Sequence, residues 1–397
     1  MTDTEHRTYS TPNHFYSLDA LRGFAALSVV FWHWSHFYPG VQSSSLDTND
    51  LPLFRLFSFF YTRGYLAVDL FFILSGFIFY WLYSKRVVDR DISVRTFAVL
   101  RFSRLYPLHF ATLLFVAVAQ HFYRNSYGSY FAYPNNDLKH FLLNVFFMSS
   151  WGMESGFSFN GPVWSVSIEV LLYTLFFVSC RLLPVRVLVL LAISVIGVIL
   201  PSEHLGLIGR GIRSFFLGGI VFLVYQRIFV SHHLANATKW VFWLTIIIWI
   251  MTLFVLYNPA AISSGSMHLQ ERLGRALPWS LEKMANNWLT KVLFPLTVLL
   301  LSLMETYRGH LGKRLSFLGD ISYSVYLLQF PLQILFMLAA AAFSISLSIC
   351  RTPLFLLLFF VALISLSLAS YHYFERPAQR FLRRKAITEH SSEGANT

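Results

Sequence analysis

Apolar runs alternate with short polar, Lys- and Arg-rich segments along most of this 397-residue chain. A run of about 20 helical residues rises roughly 30 Å, the hydrocarbon thickness of a bilayer, so each run reads as a membrane-spanning helix. Ten spans are predicted, at 18–37, 64–84, 104–122, 162–182, 186–200, 207–226, 240–257, 289–305, 319–342 and 353–374. The expected fold class is all-α, a polytopic membrane helical bundle of about ten transmembrane helices. Residues 138–151 are apolar but too short to cross, and are expected to lie in or re-enter one interface. The polar stretch from Asn258 to Trp288 reads as an exposed loop with some helix, suited to substrate recognition.

Composition agrees with this pattern, since 56% of the residues are hydrophobic and 13% charged, against roughly 25% charged in a soluble domain. The net charge of +12 sits in clusters between the apolar runs, which argues for topology and against nucleic-acid binding. Twenty of the 31 Lys and Arg fall on the side of the termini when the spans are counted off. By the positive-inside rule both termini are then cytoplasmic, and the location expected is the cytoplasmic (inner) membrane. Cys180 and Cys350 alone offer no disulfide framework and no zinc-ligand set, so no metal is expected. The first apolar run lacks a small-residue cleavage site and is read as a retained span. Three segments follow: a cytoplasmic N-terminal piece at 1–17, one membrane domain at 18–378, and a basic, disordered cytoplasmic tail at 379–397.

A charged side chain near the middle of a span costs at least about 2.5 to 3.5 kcal/mol, so each one needs a partner or a task. Arg22 and His33 are 11 positions apart in the first span, which places them within roughly 20° on one helix face and about 16 Å apart along it. Ala26 and Val29 between them are small enough to leave a channel. Asp69, near the start of the second span, and Glu169, near the start of the fourth, fall at a depth similar to that of His33. Convergence of the three would give an imidazole held by a carboxylate, the arrangement of a general base; the bland alternative is that each satisfies local donors. Arg101 and Arg104, one helical turn apart in RFSRLYP, make a guanidinium fork suited to phosphates, although a basic helix end is also what topology demands. Trp164 is a candidate stacking surface for a sugar.

Other features carry less. His14 and Asp19 have an HxxxxD spacing, but Asp19 fits better as an N-cap or first-turn acid. His36, His109, His204 and His372 read as interfacial or packing residues, and His232 with His233 as a loop pair. The chain has no GxSxG, no phosphate-binding P-loop and no HExxH.

Several blocks together resemble a known family: SLDALRGFAALSVVFWH, GYLAVDLFFILSGFIF, RFSRLYP, GPVWSVSIEVLLY, LGDISYSVYLLQFPL and YFERPAQR. From about Ser17 to Arg380 the chain is similar to the acyltransferase-3 family of multi-pass bacterial O-acyltransferases of surface glycans. The resemblance implies functional roles for the first-span arginine and histidine, here Arg22 and His33, and matches Asp69, Arg101, Arg104 and Glu169 to the family motifs. Val170 stands where some members carry a second acid, and Gln329 where many carry a histidine. Larger relatives append an extracytoplasmic hydrolase-like domain; this chain ends 23 residues after Phe374, so the reaction is expected to finish in the membrane domain or with a partner.

The function so implied is transfer of an acyl group, acetyl foremost, from cytoplasmic acyl-CoA to a hydroxyl of a carbohydrate or lipid-linked glycan. Arg22, Arg101 and Arg104 would hold the CoA phosphates, and His33 would act as base with Asp69 or Glu169 orienting it. No cofactor beyond the acyl-CoA co-substrate is expected, and the partners are that donor, the glycan acceptor and the bilayer. A transporter using the same charged cavity is the competing class; it predicts repeated halves or broken helices, and neither is visible.

Overall fold

The structure is a computed structural model and describes residues 12–38, 50–231, 233–258 and 281–393. Among these residues there are helices and turns and no strand. In chain order the helices are α1 (Tyr16–Trp32), α2 (Phe54–Arg63), α3 (Ala67–Val88), α4 (Val94–Tyr127), α5 (Leu138–Val145), α6 (Trp164–Leu182), α7 (Val187–Ile199) and α8 (Ser202–Val230). They continue with α9 (Leu234–Tyr257), α10 (Leu281–Trp288), α11 (Phe294–Arg308), α12 (Phe317–Asp320), α13 (Ser322–Ala342), α14 (Pro353–Ser370) and α15 (Arg376–Glu393).

Among the described residues eight helical stretches are long and apolar enough to cross a membrane: Phe54–Val88, Val94–Tyr127, Gly161–Leu182, Leu205–Val230, Leu234–Tyr257, Lys283–Arg308, Ser322–Ala342 and Pro353–Arg384. The other two expected spans, 18–37 and 186–200, fall on the shorter α1 and α7, of 17 and 13 residues. The helical polytopic bundle is as read from the sequence. Element ends differ where capping decides them. Ser93 accepts the N–H of Thr96 at 3.1 Å, so α4 starts at Val94, well before the apolar run, and Gly128 at φ 74° closes it. The segment at 138–151 forms the short α5 and a turn that packs on α6, where Ser167 Oγ donates to the Phe147 carbonyl at 2.7 Å.

At the described C-terminal end Arg376–Glu393 form α15, from which Arg383 donates to Ser103 Oγ (3.3 Å) and to the Leu100 carbonyl (3.4 Å). Asp19 is a first-turn acid of α1, one of its two expected places, and the capping is done elsewhere. That capping falls to Glu305 on α11, whose carboxylate accepts the N–H groups of Tyr16 and Ser17, both at 2.9 Å, and the Ser17 hydroxyl at 2.6 Å. Orphan N–H groups at a helix start favour such an anion. Residues 1–11, 394–397 and most of the loop expected at 258–288 lie outside the described residues, as does His232.

Close helix contacts set the frame for the polar residues. A Cβ on Gly76 of α3 would lie 1.9 Å from the Phe215 carbonyl oxygen of α8, and one on Gly218 of α8 would lie 2.0 Å from that of Ile73. The two backbones therefore touch, as small residues allow between membrane helices. That contact brings Asp69 of α3 beside Arg210 of α8. Likewise Gly319 abuts the Asp19 carbonyl, where a Cβ would lie 2.3 Å away, and this seats the α12–α13 junction against Arg22. Both described ends of the chain gather at the Arg22 end of α1: Phe15 packs on Trp81 with ring centroids 4.8 Å apart, and α15 packs on the start of α4.

Candidate functional site

The polar side chains flagged in the spans fall into two groups at opposite ends of α1. At the Arg22 end, a cavity of about 110 Å³ is lined by Arg22, Arg101, Arg104, Glu169 and Tyr173 among others. It continues into a mouth of about 300 Å³ that shares the three arginines and adds Glu375, Arg376 and Arg383. At the His33 end, a wider chamber of about 630 Å³ is lined by His33, His36, Trp164, Arg210 and many aromatic rings, including Tyr65, Tyr130 and Tyr133.

Arg22 is fixed by an ion pair to Asp19 (2.7 Å) and by donation to the Gly319 carbonyl (2.9 Å) and Ser322 Oγ (3.1 Å). Asp19 also contacts His14 Nε2 at 2.5 Å. Arg101 stacks against Phe79 and Tyr83, 4.3 and 4.5 Å from the ring centroids, and its buried Nε has no hydrogen-bond partner among the described residues. Arg104 shares the cavity with Glu169 and Tyr173 and feels the charges of Asp19 and Glu375 as well. The sequence-predicted arginines thus meet around one space, and an anion entering it would find guanidinium groups already oriented.

Convergence of His33 with Asp69 and Glu169 does not occur. Asp69, 2% exposed, accepts from Arg210 Nη2 at 2.6 Å and Nε at 2.9 Å, and from Ser214 Oγ at 2.9 Å. Glu169 accepts from the Tyr173 hydroxyl at 2.6 Å, one turn along its own helix, and from Ser75 at 3.2 Å. A guanidinium across a glycine contact and a phenol at i+4 claim the carboxylates, and the similar depth read from the sequence says nothing of the direction in which they point. On the α1 face between Arg22 and His33, Ala26 is fully buried, and Val29, 1% exposed, borders the histidine chamber.

His33 instead stacks on His36, with centroids 5.0 Å apart, and interacts with Gln329. His33 Nδ1 and Gln329 Oε1 are both buried without a hydrogen-bond partner among the described residues. His36, expected as a packing residue, lines this chamber as well. Gln333 Nε2 donates to the His33 carbonyl at 3.0 Å, so Gln333 Oε1 accepts from His36 Nδ1 at 3.0 Å, and His36 Nε2 accepts the Tyr133 hydroxyl at 3.3 Å. Arg210 was not singled out in the sequence. It is held by Asp69 and by the Tyr65 carbonyl (2.8 Å), and lies 5.5 Å from the Trp164 ring. The signal was available in GRGIR, a charge inside an apolar run. His109, by contrast, packs as expected, with Nε2 on the Asn144 carbonyl at 2.8 Å. No group of His, Cys, Asp and Glu among the described residues is arranged to hold a metal.

A family described as Acyltransferase domain matches residues 15–372. "Protein 2 in picA locus" of Rhizobium radiobacter is 37% identical over 108 residues, 27% of this chain and 47% of that protein. "Acyltransferase MdmB" of Streptomyces mycarofaciens is 34% identical over 178 residues, 43% of this chain and 41% of its own length. These two matches thus cover less than half of either relative. A third relative, from Acidianus two-tailed virus, has a name that includes "acetyltransferase ORF330" and is 26% identical over 315 residues, 77% of this chain and 79% of its own. No solved structure matches the chain.

Proposed function

The chain belongs to the acyltransferase-3 family, and from that premise we propose that it is a membrane-embedded acyltransferase that moves an acyl group from acyl-CoA at the arginine end to a carbohydrate hydroxyl at the histidine end. The observation that carries the reading is the pairing of two cavities, one with three oriented guanidinium groups and the other with an imidazole among aromatic rings. Arg22, Arg101 and Arg104 hold the CoA phosphates at the cytoplasmic mouth, with Arg376 and Arg383 beside them. Aromatic walls, Trp164 among them, suit the faces of a sugar. Both described ends of the chain lie at the arginine end, which fits cytoplasmic termini in the inner membrane.

In the transfer step the acceptor oxygen attacks the thioester carbonyl while His33 Nε2 takes its proton. The acyl–oxygen bond forms, the carbon–sulfur bond breaks, and the CoA thiolate recovers a proton. Gln329 is a polar neighbour of the ring, Asp69 acts only through Arg210, and Glu169 belongs to the donor side. Mass spectrometry of surface glycans from cells with and without the protein tests the acceptor class: an acyl increment that depends on the protein supports it, and unchanged glycans oppose it.

Arginine replacements test the donor site. Arg101→Ala and Arg104→Ala are expected to raise KM for acyl-CoA about 10-fold to 150-fold, the loss of a charge-assisted contact of roughly 1.5 to 3 kcal/mol. Arg101→Lys should rescue least, because the stacking on Phe79 and Tyr83 needs the planar group. Unchanged KM in both Ala variants would return these residues to a purely topological role.

A further inference from the structure

Among the described residues, Tyr326 alone borders both the arginine cavity and the histidine chamber. It is 5% exposed. Its hydroxyl donates to the Pro162 carbonyl at 2.8 Å and accepts from Ser165 Oγ, also at 2.8 Å, and its ring meets Phe71 edge-on at 5.8 Å. The phenol is thus latched onto the start of α6.

The helix that carries it is interrupted just beyond. Pro331 has no N–H to offer the Leu327 carbonyl, and Asn160 Nδ2 supplies the missing donor at 2.9 Å. The α13 ladder therefore runs through a side chain of another segment at the residue after Tyr326, a place where a helix bends at low cost.

We infer that Tyr326 is the partition between the two cavities and the residue that favours the acceptor over water. This rests on the acyl-transfer reading of the same site. The chamber of about 630 Å³ has room for many waters, and a general base at His33 takes a proton from water as readily as from a sugar hydroxyl. With the phenol in place, the thioester is shielded. Once it is displaced by an acceptor lying in the chamber, the carbonyl meets the acceptor oxygen. With the ring absent, water attacks instead: its oxygen bonds to the acyl carbon, the carbon–sulfur bond breaks, and carboxylate, CoA thiol and a proton are released.

The test uses the full chain in sealed vesicles with acetyl-CoA as the probe donor. Tyr326→Phe keeps the ring and loses the latch, and Tyr326→Ala loses both. Two neutral hydrogen bonds correspond to roughly a 5-fold to 150-fold shift in the open population. Acceptor-free hydrolysis is therefore expected to rise by that order in Tyr326→Phe and further in Tyr326→Ala, while the ratio of transfer to hydrolysis falls. A second readout does not depend on chemistry. Leu74→Cys, which lines the arginine cavity, is offered a membrane-impermeant maleimide from the His33 side, with Leu74 proteins as background. Labelling should be slow with Tyr326 and fast in the two Tyr326 variants. Unchanged labelling overturns the partition, and so does a Tyr326→Phe protein that matches the parent in both readouts. Faster labelling with transfer intact and no rise in hydrolysis overturns the preference for acceptor over water. Faster labelling with no acyl-CoA cleaved by any variant leaves the partition standing and defeats acyl transfer.

Discussion

His33→Gln is expected to lower transfer about 10²-fold to 10⁴-fold, the usual effect of removing a positioned acid or base, while KM for acyl-CoA stays within twofold or so. The protein should fold, because His33 makes no side-chain ion pair, its carbonyl still accepts from Gln333, and glutamine is as long as the ring it replaces. Glutamine can meet Gln329 and donate a hydrogen bond, but it cannot take a proton. Steady-state rates on a well-expressed variant check this, and near-normal transfer would leave His33 a packing residue. Gln329→Leu should lower the rate less, since it removes a polar neighbour of the ring but leaves the base.

The second large effect is on stability. Asp69→Asn is expected to destabilise by about 3 to 5 kcal/mol, the cost of breaking a buried ion pair and leaving one charge uncompensated. Arg210→Met should cost less, because a lone Asp69 can protonate whereas a lone guanidinium stays charged. The double variant Asp69→Asn/Arg210→Met should recover most of the loss. Thermal unfolding in detergent across the four proteins measures the coupling directly. If both single variants lose under 1 kcal/mol, the pair is not what joins α3 to α8 at this point.

How far the sequence carries the account depends on the kind of signal. Apolar runs of bilayer length mark most of the helices, because the length and the lack of charge are both forced by lipid, although the expected spans at 18–37 and 186–200 fall on helices of 17 and 13 residues. The spacing from Arg22 to His33 fixes one helix face, and the two residues do look toward the two cavities. Arg101 and Arg104, inside α4, meet Arg22, inside α1, around one cavity. Partner choice is another matter. Asp69, Glu169 and His33 have comparable depths, but azimuth decides which groups touch, and azimuth follows from contacts such as Gly76 against Phe215 that no single helix reveals. Arg210 was not singled out within the predicted 207–226 run, yet it lines the chamber. Tyr326 stands in the block LGDISYSVYLLQFPL but was not singled out: a tyrosine in an apolar helix reads as packing until both cavities are seen to end on it.

The central claim is that acyl-CoA enters at the arginine end and that its acyl group leaves on an acceptor at the histidine end. Purified protein in sealed vesicles of known orientation, with radiolabelled acyl-CoA supplied to one side only and a glycan acceptor to the other, tests it most directly. The account predicts label on the acceptor when acyl-CoA is offered on the side of the loop 89–93, none when it is offered on the opposite side, and loss of labelling in His33→Gln. Equal labelling from both sides, or uptake of solute with no acyl-CoA consumed, would contradict it.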